Sequence, residues 1–230
     1  MIIVITGSRK GIGRYLTDYY LEKGNIVIGC SREKSDITNS QYIHYCIDVT
    51  DEEMVNSFAV DVRKKYGYID VLINNAGSAS MNHFFLTPAS TAERLMKLNY
   101  LGVFNSCRAF SGLLKKSKHP RIVNFSTVAV PLNLEGEIAY VVSKSAVESF
   151  TRVLSKELAV FSITVNSIGP TPIATDLIAK VPKEKINKLI DSQAIKRMGE
   201  LTDVSNVVDF FISENSDFIS GQVIYLGGVN

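Results

Sequence analysis

The chain contains 230 residues, of which 46% are hydrophobic and 21% are charged, and its formal net charge is +2. This balance is typical of a folded globular protein and excludes a disordered or fibrous one, while the small net charge gives no reason to expect a nucleic-acid partner. No apolar run reaches the roughly 18 residues of a membrane span, and the first apolar segment leads directly into Thr6 and Gly7 without a basic leader. We therefore expect a cytoplasmic protein with no membrane partner. The cysteines lack metal-ligand spacing, so no metal site is predicted.

Short β-branched segments alternate with longer amphipathic segments along the chain. The predicted strands are residues 2–5, 26–30, 42–46, 71–73, 122–125, 163–166 and 223–225. The predicted helices are residues 12–23, 52–66, 91–114, 138–159 and 203–213, with Thr50 and Thr202 as N-caps. The strands are apolar on both faces, as in sheets that helices cover on both sides. The pattern predicts an α/β protein with one domain, residues 1–230, built on a doubly wound, parallel, seven-stranded sheet.

The longest stretch without a predicted element is residues 169–199. It contains three of the six prolines, namely Pro170, Pro172 and Pro182. Long connections in compact domains are commonly lids or binding loops, so we expect this one to form a substrate loop.

Three glycines follow the first predicted strand and lead into the first predicted helix. Gly7, Gly11 and Gly13 are spaced G-x-x-x-G-x-G, which differs from the usual G-x-G-x-x-G. Glycines at such a turn let the backbone approach a pyrophosphate, which then lies on the free N–H groups of the helix. The position predicts a dinucleotide site.

The end of the second predicted strand indicates which dinucleotide binds. A carboxylate is expected there for the adenosine ribose, but the chain has Ser31 and Arg32. Arg32, together with Lys10 in the glycine loop, would stabilise a 2′-phosphate, which favours NADP(H) over NAD(H). Glu33 leaves NAD(H) open, because a small shift would direct it to the ribose.

Tyr140 and Lys144 are four residues apart in a predicted helix, so their side chains share one face. A cation beside a phenol lowers the tyrosine pKa from about 10 and makes it a usable proton donor. The alternative interpretation is an aromatic residue packed on the core with a solvated lysine.

These motifs and several others, in this order, resemble a single-domain short-chain dehydrogenase/reductase over nearly the whole chain. Within that family the chain is most similar to 3-oxoacyl-carrier-protein reductases. The supporting motifs are the glycine loop, Asp48-Val49, Asn74-Asn75-Ala76-Gly77, Asn99, Tyr140-x-x-x-Lys144 and Gly221-Gln222 through Gly227-Gly228.

The resemblance implies a Rossmann fold and a catalytic group of Asn99, Thr127, Tyr140 and Lys144. Tyr140 would be the general acid or base, Lys144 would lower its pKa, and Asn99 would hold a water on the proton path. Thr127 stands where the family places a serine that binds the substrate oxygen. Ser126 is the alternative hydroxyl, although neighbouring strand residues point to opposite faces.

The resemblance also implies the cofactor contacts. Asp48 and Val49 would hold the adenine, and Pro170, Ile173 and Thr175 would contact the nicotinamide. Thr171, where glycine is more common, and Pro172 stiffen that segment. The complete expected set is Gly7, Ser8, Arg9, Lys10, Gly11, Ile12, Gly13, Ser31, Arg32, Asp48, Val49, Asn75, Ala76, Gly77, Tyr140, Lys144, Pro170, Ile173 and Thr175.

The activity implied by the resemblance is hydride transfer between NADP(H) and a small-molecule carbonyl or secondary alcohol. The alternative is a nonenzymatic NADP(H)-binding sensor or scaffold. Predicted helices 91–114 and 138–159 resemble those through which family members form dimers and tetramers, which implies a homodimer or homotetramer. The residues expected to give an apolar substrate pocket are 131–134, Met81, Phe84, Phe85, Ile178 and Val181.

Overall fold

The computed structural model describes residues 1–176, 178–179 and 181–229. Its centre is a seven-stranded sheet in the order β3-β2-β1-β4-β5-β6-β7, with every neighbouring pair parallel. The strands are β1 (Ile2–Thr6), β2 (Ile26–Ser31), β3 (Tyr42–Cys46), β4 (Val71–Asn74), β5 (Arg121–Phe125), β6 (Thr164–Gly169) and β7 (Val223–Tyr225). The predicted fold class is confirmed, and all seven strands lie where they were predicted, with end differences of a few residues.

Seven α-helices accompany the sheet in the part of the chain that the structure describes. They are α1 (Gly11–Glu22), α2 (Glu52–Tyr66), α3 (Ala89–Met96), α4 (Gly102–Leu114), α5 (Ile138–Glu157), α6 (Lys183–Ser192) and α7 (Leu201–Ile212). A π-helical segment, Lys97–Leu101, joins α3 to α4. Each of these helices is too short or too polar to cross a bilayer.

Alternating residues of β1 supply two separate cores. Ile2 and Val4 pack in one cluster with Phe58 of α2 and Phe110 of α4, whereas Ile3 and Ile5 pack on the opposite face with α1 and α7. Successive strand side chains point to opposite faces, so a strand that is apolar throughout requires cover on both sides. This arrangement explains why β1 has no polar alternation.

The chain order reverses between β1 and β4, because β1 pairs with β2 on one side and with β4 on the other. The carboxyl ends of the central strands lie level, with Thr6 opposite Asn74 and Asn74 opposite Asn124. Ligands of open α/β sheets bind at such a reversal. The residues that follow these strand ends therefore form the candidate site.

Both predicted N-caps are wrong. Asp51 caps α2 through its side chain, which accepts from the Met54 N–H, while the Thr50 N–H donates to Asp48. A carboxylate at the N-cap also interacts favourably with the positive end of the helix, which favours Asp51 over its threonine neighbour.

At α7, the cap is Glu200, not Thr202. The Asp203 side chain accepts from the backbone N–H of Glu200 at 2.8 Å, and the Asp203 N–H donates to the Glu200 backbone carbonyl at 3.1 Å. This reciprocal pair satisfies two N–H groups at once, which a single threonine hydroxyl cannot do.

Two further differences concern helix boundaries. The predicted helix at residues 91–114 begins earlier, at Ala89, and is interrupted by the π-helical segment. The predicted loop at residues 169–199 contains α6, whose Ile186, Leu189 and Ile190 are the partly buried apolar positions. Pro182 is the N-cap residue of α6, so this proline marks the beginning of a helix.

Candidate active site

A cavity of about 550 Å³ opens at the carboxyl ends of β4, β5 and β6. Tyr140 and Lys144 of α5, Thr127 after β5 and Gly77 after β4 all line it. The wall is completed on the side of the glycine loop by Ile12 and Asn75. On the side of the segment after β6 it is completed by Pro170, Ile173 and Thr175. The fold therefore brings the predicted catalytic hydroxyls, the lysine and the predicted nicotinamide contacts into one cavity.

Tyr140 lies in the first turn of α5, and only 8% of its surface is exposed. Burial raises the pKa of Tyr140 to about 12; the Thr127 hydroxyl opposes part of this rise, and the negative charge of Glu137 adds to it. We expected Lys144 to lower this pKa, but burial determines the direction, because an anion loses more solvation than a neutral phenol. The phenol therefore keeps its proton at neutral pH, as a proton donor must.

Lys144 is buried beneath the same cavity, and its Nζ donates to the backbone carbonyl of Phe125 at 2.7 Å. Burial lowers the pKa of Lys144 to about 8, because the charged ammonium loses hydration. The side chain thus lies one helical turn below Tyr140 and is anchored to the end of β5.

The low pKa of Lys144 predicts a pH-dependent stability. The unfolded chain holds this proton up to about pH 10.5 and the folded protein only up to about 8, so wild-type stability rises across this interval. Relative to Lys144→Met, the wild-type free energy of unfolding should increase by up to about 1.4 kcal/mol per pH unit. Urea unfolding of both proteins at about pH 7 and about pH 9.5 measures this difference. A difference that does not change with pH would contradict the assigned burial of a titrating lysine.

Ser126 and Thr127 are adjacent at the end of β5 but have different partners. The Ser126 hydroxyl donates to the buried carboxylate of Glu148 at 2.5 Å, and the Tyr225 hydroxyl donates to the same oxygen at 2.7 Å. The Thr127 hydroxyl accepts from the Ala129 N–H at 3.2 Å and lies beside Tyr140. This geometry favours Thr127 as the hydroxyl that meets a substrate oxygen.

These partners predict different effects for two alanine variants. Thr127→Ala should lower kcat by about 100-fold or more, as when a donor to a developing oxyanion is lost, and Thr127→Ser should restore most of it. Ser126→Ala should change kcat little but lower the free energy of unfolding by about 1–3 kcal/mol, because Glu148 loses a buried partner. Steady-state kinetics and urea unfolding of the three variants separate these effects. Loss of kcat in Ser126→Ala alone would reverse the assignment.

Asn99 is fully buried within the π-helical segment. Its side-chain amide donates to the Ser78 carbonyl and to the Ser143 hydroxyl, both at 2.9 Å, and its oxygen accepts from the Ser78 N–H at 2.9 Å. The side chain thus ties the segment after β4 to α5, one residue before Lys144. Its predicted role in a proton path stays a prediction.

The glycine loop forms a tight turn between β1 and α1. Gly7 and Gly11 have φ values of 70° and 54°, in the left-handed region that favours glycine. Asn75, directly after β4, braces the loop, since its side-chain amide donates to the carbonyl oxygens of Thr6 and Gly7, both at 3.1 Å. No described side chain caps α1, and its first turn has no acidic residue, so the N–H groups there are open to an anion. These features fit the pyrophosphate of a dinucleotide.

Ser8 differs from the other members of the expected cofactor set. Its hydroxyl lies 2.9 Å from the Tyr42 hydroxyl, and its N–H donates to the Cys30 carbonyl. The Tyr42 hydroxyl in turn forms a hydrogen bond with Nδ1 of His44, and Nε2 of the same ring lies 3.0 Å from the Ser31 hydroxyl. The polar groups of Ser8 thus point into the protein, and they support the end of β2.

A second cavity of about 180 Å³ adjoins the glycine loop. Arg9, Lys10, Ser31 and Arg32 line it together with Gly7, Asp48, Val49, Ala76 and Gly77. Glu33, which we considered as a ribose ligand, forms an ion pair with Arg9 at 2.9 Å. Lys10 lies 3.4 Å from Asp176, so its ammonium is shared between this cavity and the substrate loop.

The segment after β6 accommodates the unexpected Thr171. A Cβ atom added to Gly199 would lie 2.6 Å from the Thr171 methyl group, so the glycine makes room for the threonine. Ile173 forms a β-bridge with Gly199, and Thr175 lies close to Gly11. The segment after β6 therefore lies between Gly199, which precedes α7, and Gly11 of the glycine loop.

The expected apolar pocket is partly correct. Met81, Leu134, Ile178 and Val181 line the large cavity, whereas residues 131–133 do not. Phe84 and Phe85 do not, since they are 64% and 86% exposed in a 3-10 turn that turns them outwards.

The sequence analysis did not predict three charged residues of this cavity, Glu137, Asp176 and Lys185. Glu137 was detectable, because residues at i and i+3 share a helix face and it precedes Tyr140 by three. Lys185 was not, because it lies on the unpredicted α6.

Comparison with known proteins identifies the family. A family model described as short chain dehydrogenase matches residues 1–186. The chain belongs to this family. As a short chain dehydrogenase it is 29% identical to the 3-oxoacyl-[acyl-carrier-protein] reductase FabG of Haemophilus influenzae, over 99% of this chain and 96% of that protein. The FabG of Thermotoga maritima is also 29% identical, with the same coverage.

Two solved structures share the fold of this short chain dehydrogenase. The ligand-free aldohexose dehydrogenase of Thermoplasma acidophilum superposes with a TM-score of 0.90 at 28% identity, covering 99% of this chain and 93% of that one. ElxO with NADP bound superposes with a TM-score of 0.89 at 27% identity, covering 98% and 96%. The resemblance stated from the motifs is confirmed.

Proposed function

We propose that this oxidoreductase transfers a hydride between NADP(H) and a carbonyl compound or secondary alcohol. The observation that carries the proposal is the joint placement of Tyr140, Thr127 and Lys144 in the large cavity, beside the segment that includes Ile173 and Thr175. A bound nicotinamide nucleotide supplies the hydride.

The protein residues orient the carbonyl and move the proton. The Thr127 and Tyr140 hydroxyls would hold the carbonyl oxygen, and Tyr140 would donate its proton to that oxygen during reduction. Lys144, charged below about pH 8, would stabilise the phenolate left on Tyr140. Catalysis in the reverse direction uses the same groups, with the Tyr140 phenolate as the base.

The preference for NADP(H) rests on positive charge near the end of β2. Arg32 lines the second cavity, and Arg9 holds Glu33 in an ion pair at the same place. Two guanidinium groups suit a 2′-phosphate, whereas a ribose hydroxyl needs a free carboxylate. ElxO, with NADP bound, is a structural relative and agrees with this preference.

Arg32→Asp should therefore weaken NADPH binding by at least tenfold and leave NADH binding unchanged or stronger, because it replaces a 2′-phosphate partner with a 2′-hydroxyl acceptor. Arg63→Asp, at an exposed position of α2, is the matched control and should affect neither cofactor. Calorimetric titration with both cofactors measures the ratio of the NADPH and NADH dissociation constants. Equal losses for NADPH and NADH would exclude a 2′-phosphate contact at Arg32.

We also propose a cytoplasmic homodimer or homotetramer. Ile138, Val142 and Val153 form an exposed apolar stripe along α5, with 46%, 51% and 53% of their surfaces accessible. Such a stripe on a long helix suits pairing with the same helix of another copy. Analytical ultracentrifugation measures the assembly directly.

A panel of ketones and aldehydes, each followed by the absorbance of NADPH, tests the proposed reaction. Turnover of at least one carbonyl with production of the alcohol is expected. Tight NADPH binding without turnover on any member would favour the nonenzymatic sensor. The buried, protonated Tyr140 beside Thr127 argues for the enzyme, since a binding protein needs no proton donor in its cavity.

A further inference from the structure

The catalytic cavity contains an acidic side chain that the proposed proton transfer does not use. Glu137 is the N-cap residue of α5 and precedes Tyr140 by three positions, and both residues line the cavity. Residues at this spacing lie on one side of a helix, with Cβ atoms about 5–6 Å apart. The two residues are close enough for the charge of Glu137 to raise the pKa of Tyr140.

Glu137 has no protein partner among the described residues. Its side chain does not cap α5, and no hydrogen bond from the described residues affects its pKa. Burial raises the pKa of Glu137, and the positive charge of Lys185 opposes part of this rise. A half-buried carboxylate without a donor is normally satisfied by water or by a ligand.

The surroundings of Glu137 restrict the chemistry of that ligand. Lys185 of α6 lines the same cavity, and its Nζ would lie 3.9 Å from a Cβ atom on Gly136, the residue next to Glu137. A negative and a positive group at one end of the cavity leave little net charge to attract an ion. A hydroxyl suits both neighbours, because it donates to a carboxylate and accepts from an ammonium.

We propose that Glu137 is a specificity-determining residue that accepts a hydrogen bond from a substrate hydroxyl near the reacting carbonyl. The substrate class is then hydroxylated ketones or aldehydes, in place of the plain aliphatic carbonyls that an apolar wall alone would take. This inference rests on the proposed function. It deepens that proposal by naming the group which the cavity recognises beside the carbonyl.

Matched ketone pairs test the inference, because a hydroxyl and a methyl group are nearly equal in size. The pairs are hydroxyacetone with 2-butanone, and 4-hydroxy-2-butanone with 2-pentanone. In at least one pair the wild type should prefer the hydroxylated member by at least about 100-fold in kcat/KM, as expected where a buried acceptor would be left unpaired. Glu137→Leu should reduce this preference to less than about tenfold. Glu137→Gln should keep part of it, since the amide oxygen still accepts.

Glu157→Gln, at the exposed far end of α5, is the control and should keep the wild-type preference. A second readout is saturation-transfer NMR of the same ketones with the protein and NADP⁺, in which the hydroxylated member should bind more strongly to wild type than to Glu137→Gln. If the wild type reduces both members equally, or the preference survives in Glu137→Leu, the inference is wrong and the proposed reaction stands. If no ketone is reduced, the proposed reaction fails, and the NMR comparison alone decides the role of Glu137.

Discussion

Tyr140→Phe is expected to lower kcat/KM for carbonyl reduction by about 10²–10⁴-fold, the usual contribution of a positioned general acid. The change removes one oxygen from a side chain that is 8% exposed, so the ring still fills its place against Leu95 and Ala129. NADPH affinity should change little in comparison. Stopped-flow and steady-state rates with the best carbonyl substrate, together with an NADPH titration, measure both quantities.

Tyr68→Phe is the matched control for this variant. Tyr68 is 40% exposed and lies between α2 and β4, away from the cavity. Tyr68→Phe, which makes the same chemical change, should keep the wild-type kcat/KM. Equal rates for Tyr140→Phe and the wild type would remove Tyr140 from the proton transfer.

Gly13→Ala is expected to cost at least about 3 kcal/mol of unfolding free energy, the upper end of overpacking effects, and to abolish NADPH binding. A Cβ atom at this position would lie 2.2 Å from the Gly7 carbonyl oxygen and 2.4 Å from the Asn75 amide nitrogen. The first contact is with backbone, which cannot move without opening the turn. Urea unfolding and NADPH calorimetry measure the two effects.

Gly112→Ala provides the contrast for Gly13→Ala. Gly112 lies in α4, is exposed, and has no atom within 4 Å of an added Cβ. The alanine should stabilise the protein by about 0.5–1 kcal/mol through the lower backbone entropy of the unfolded chain. If the two variants were equally stable, the packing assigned to the glycine loop would be wrong.

Local sequence patterns predicted the sheet well, because central strands such as β1 and β4 are buried on both faces and therefore have no polar alternation. β1 illustrates this, since its four apolar residues divide between two cores. The interruption of the long helix by residues 97–101 was not predictable, because a π-helical turn changes backbone bonding without a distinctive residue type. Asn99 at its centre was found only through the resemblance to the family.

Helix α6 was missed although its apolar residues have helical spacing. The three prolines Pro170, Pro172 and Pro182 predict irregular chain, but Pro182 lies at the beginning of the helix, where its missing N–H costs nothing. Lys185 was lost with it. The positive charge beside Glu137 could therefore not be recognised from the sequence.

The ionisation of the Tyr140 and Lys144 pair also required the structure. Four-residue spacing predicts a shared face, but it contains no information about burial, which decides both pKa directions here. The same limit applies to Glu33, since its ion pair with Arg9 joins a strand end to the glycine loop. Spacing along one element finds neighbours on that element, whereas these contacts cross between elements.

Transfer of deuterium from NADPH labelled at the nicotinamide C4 position is the most direct test of the proposed reaction. With the best carbonyl of the panel, mass spectrometry should find one deuterium at the carbinol carbon when one C4 face is labelled and none when the other is. Tyr140→Phe should slow this transfer without changing the face used. An alcohol that carries no deuterium from either label, or the absence of any alcohol while NADPH binds tightly, would contradict hydride transfer by this protein.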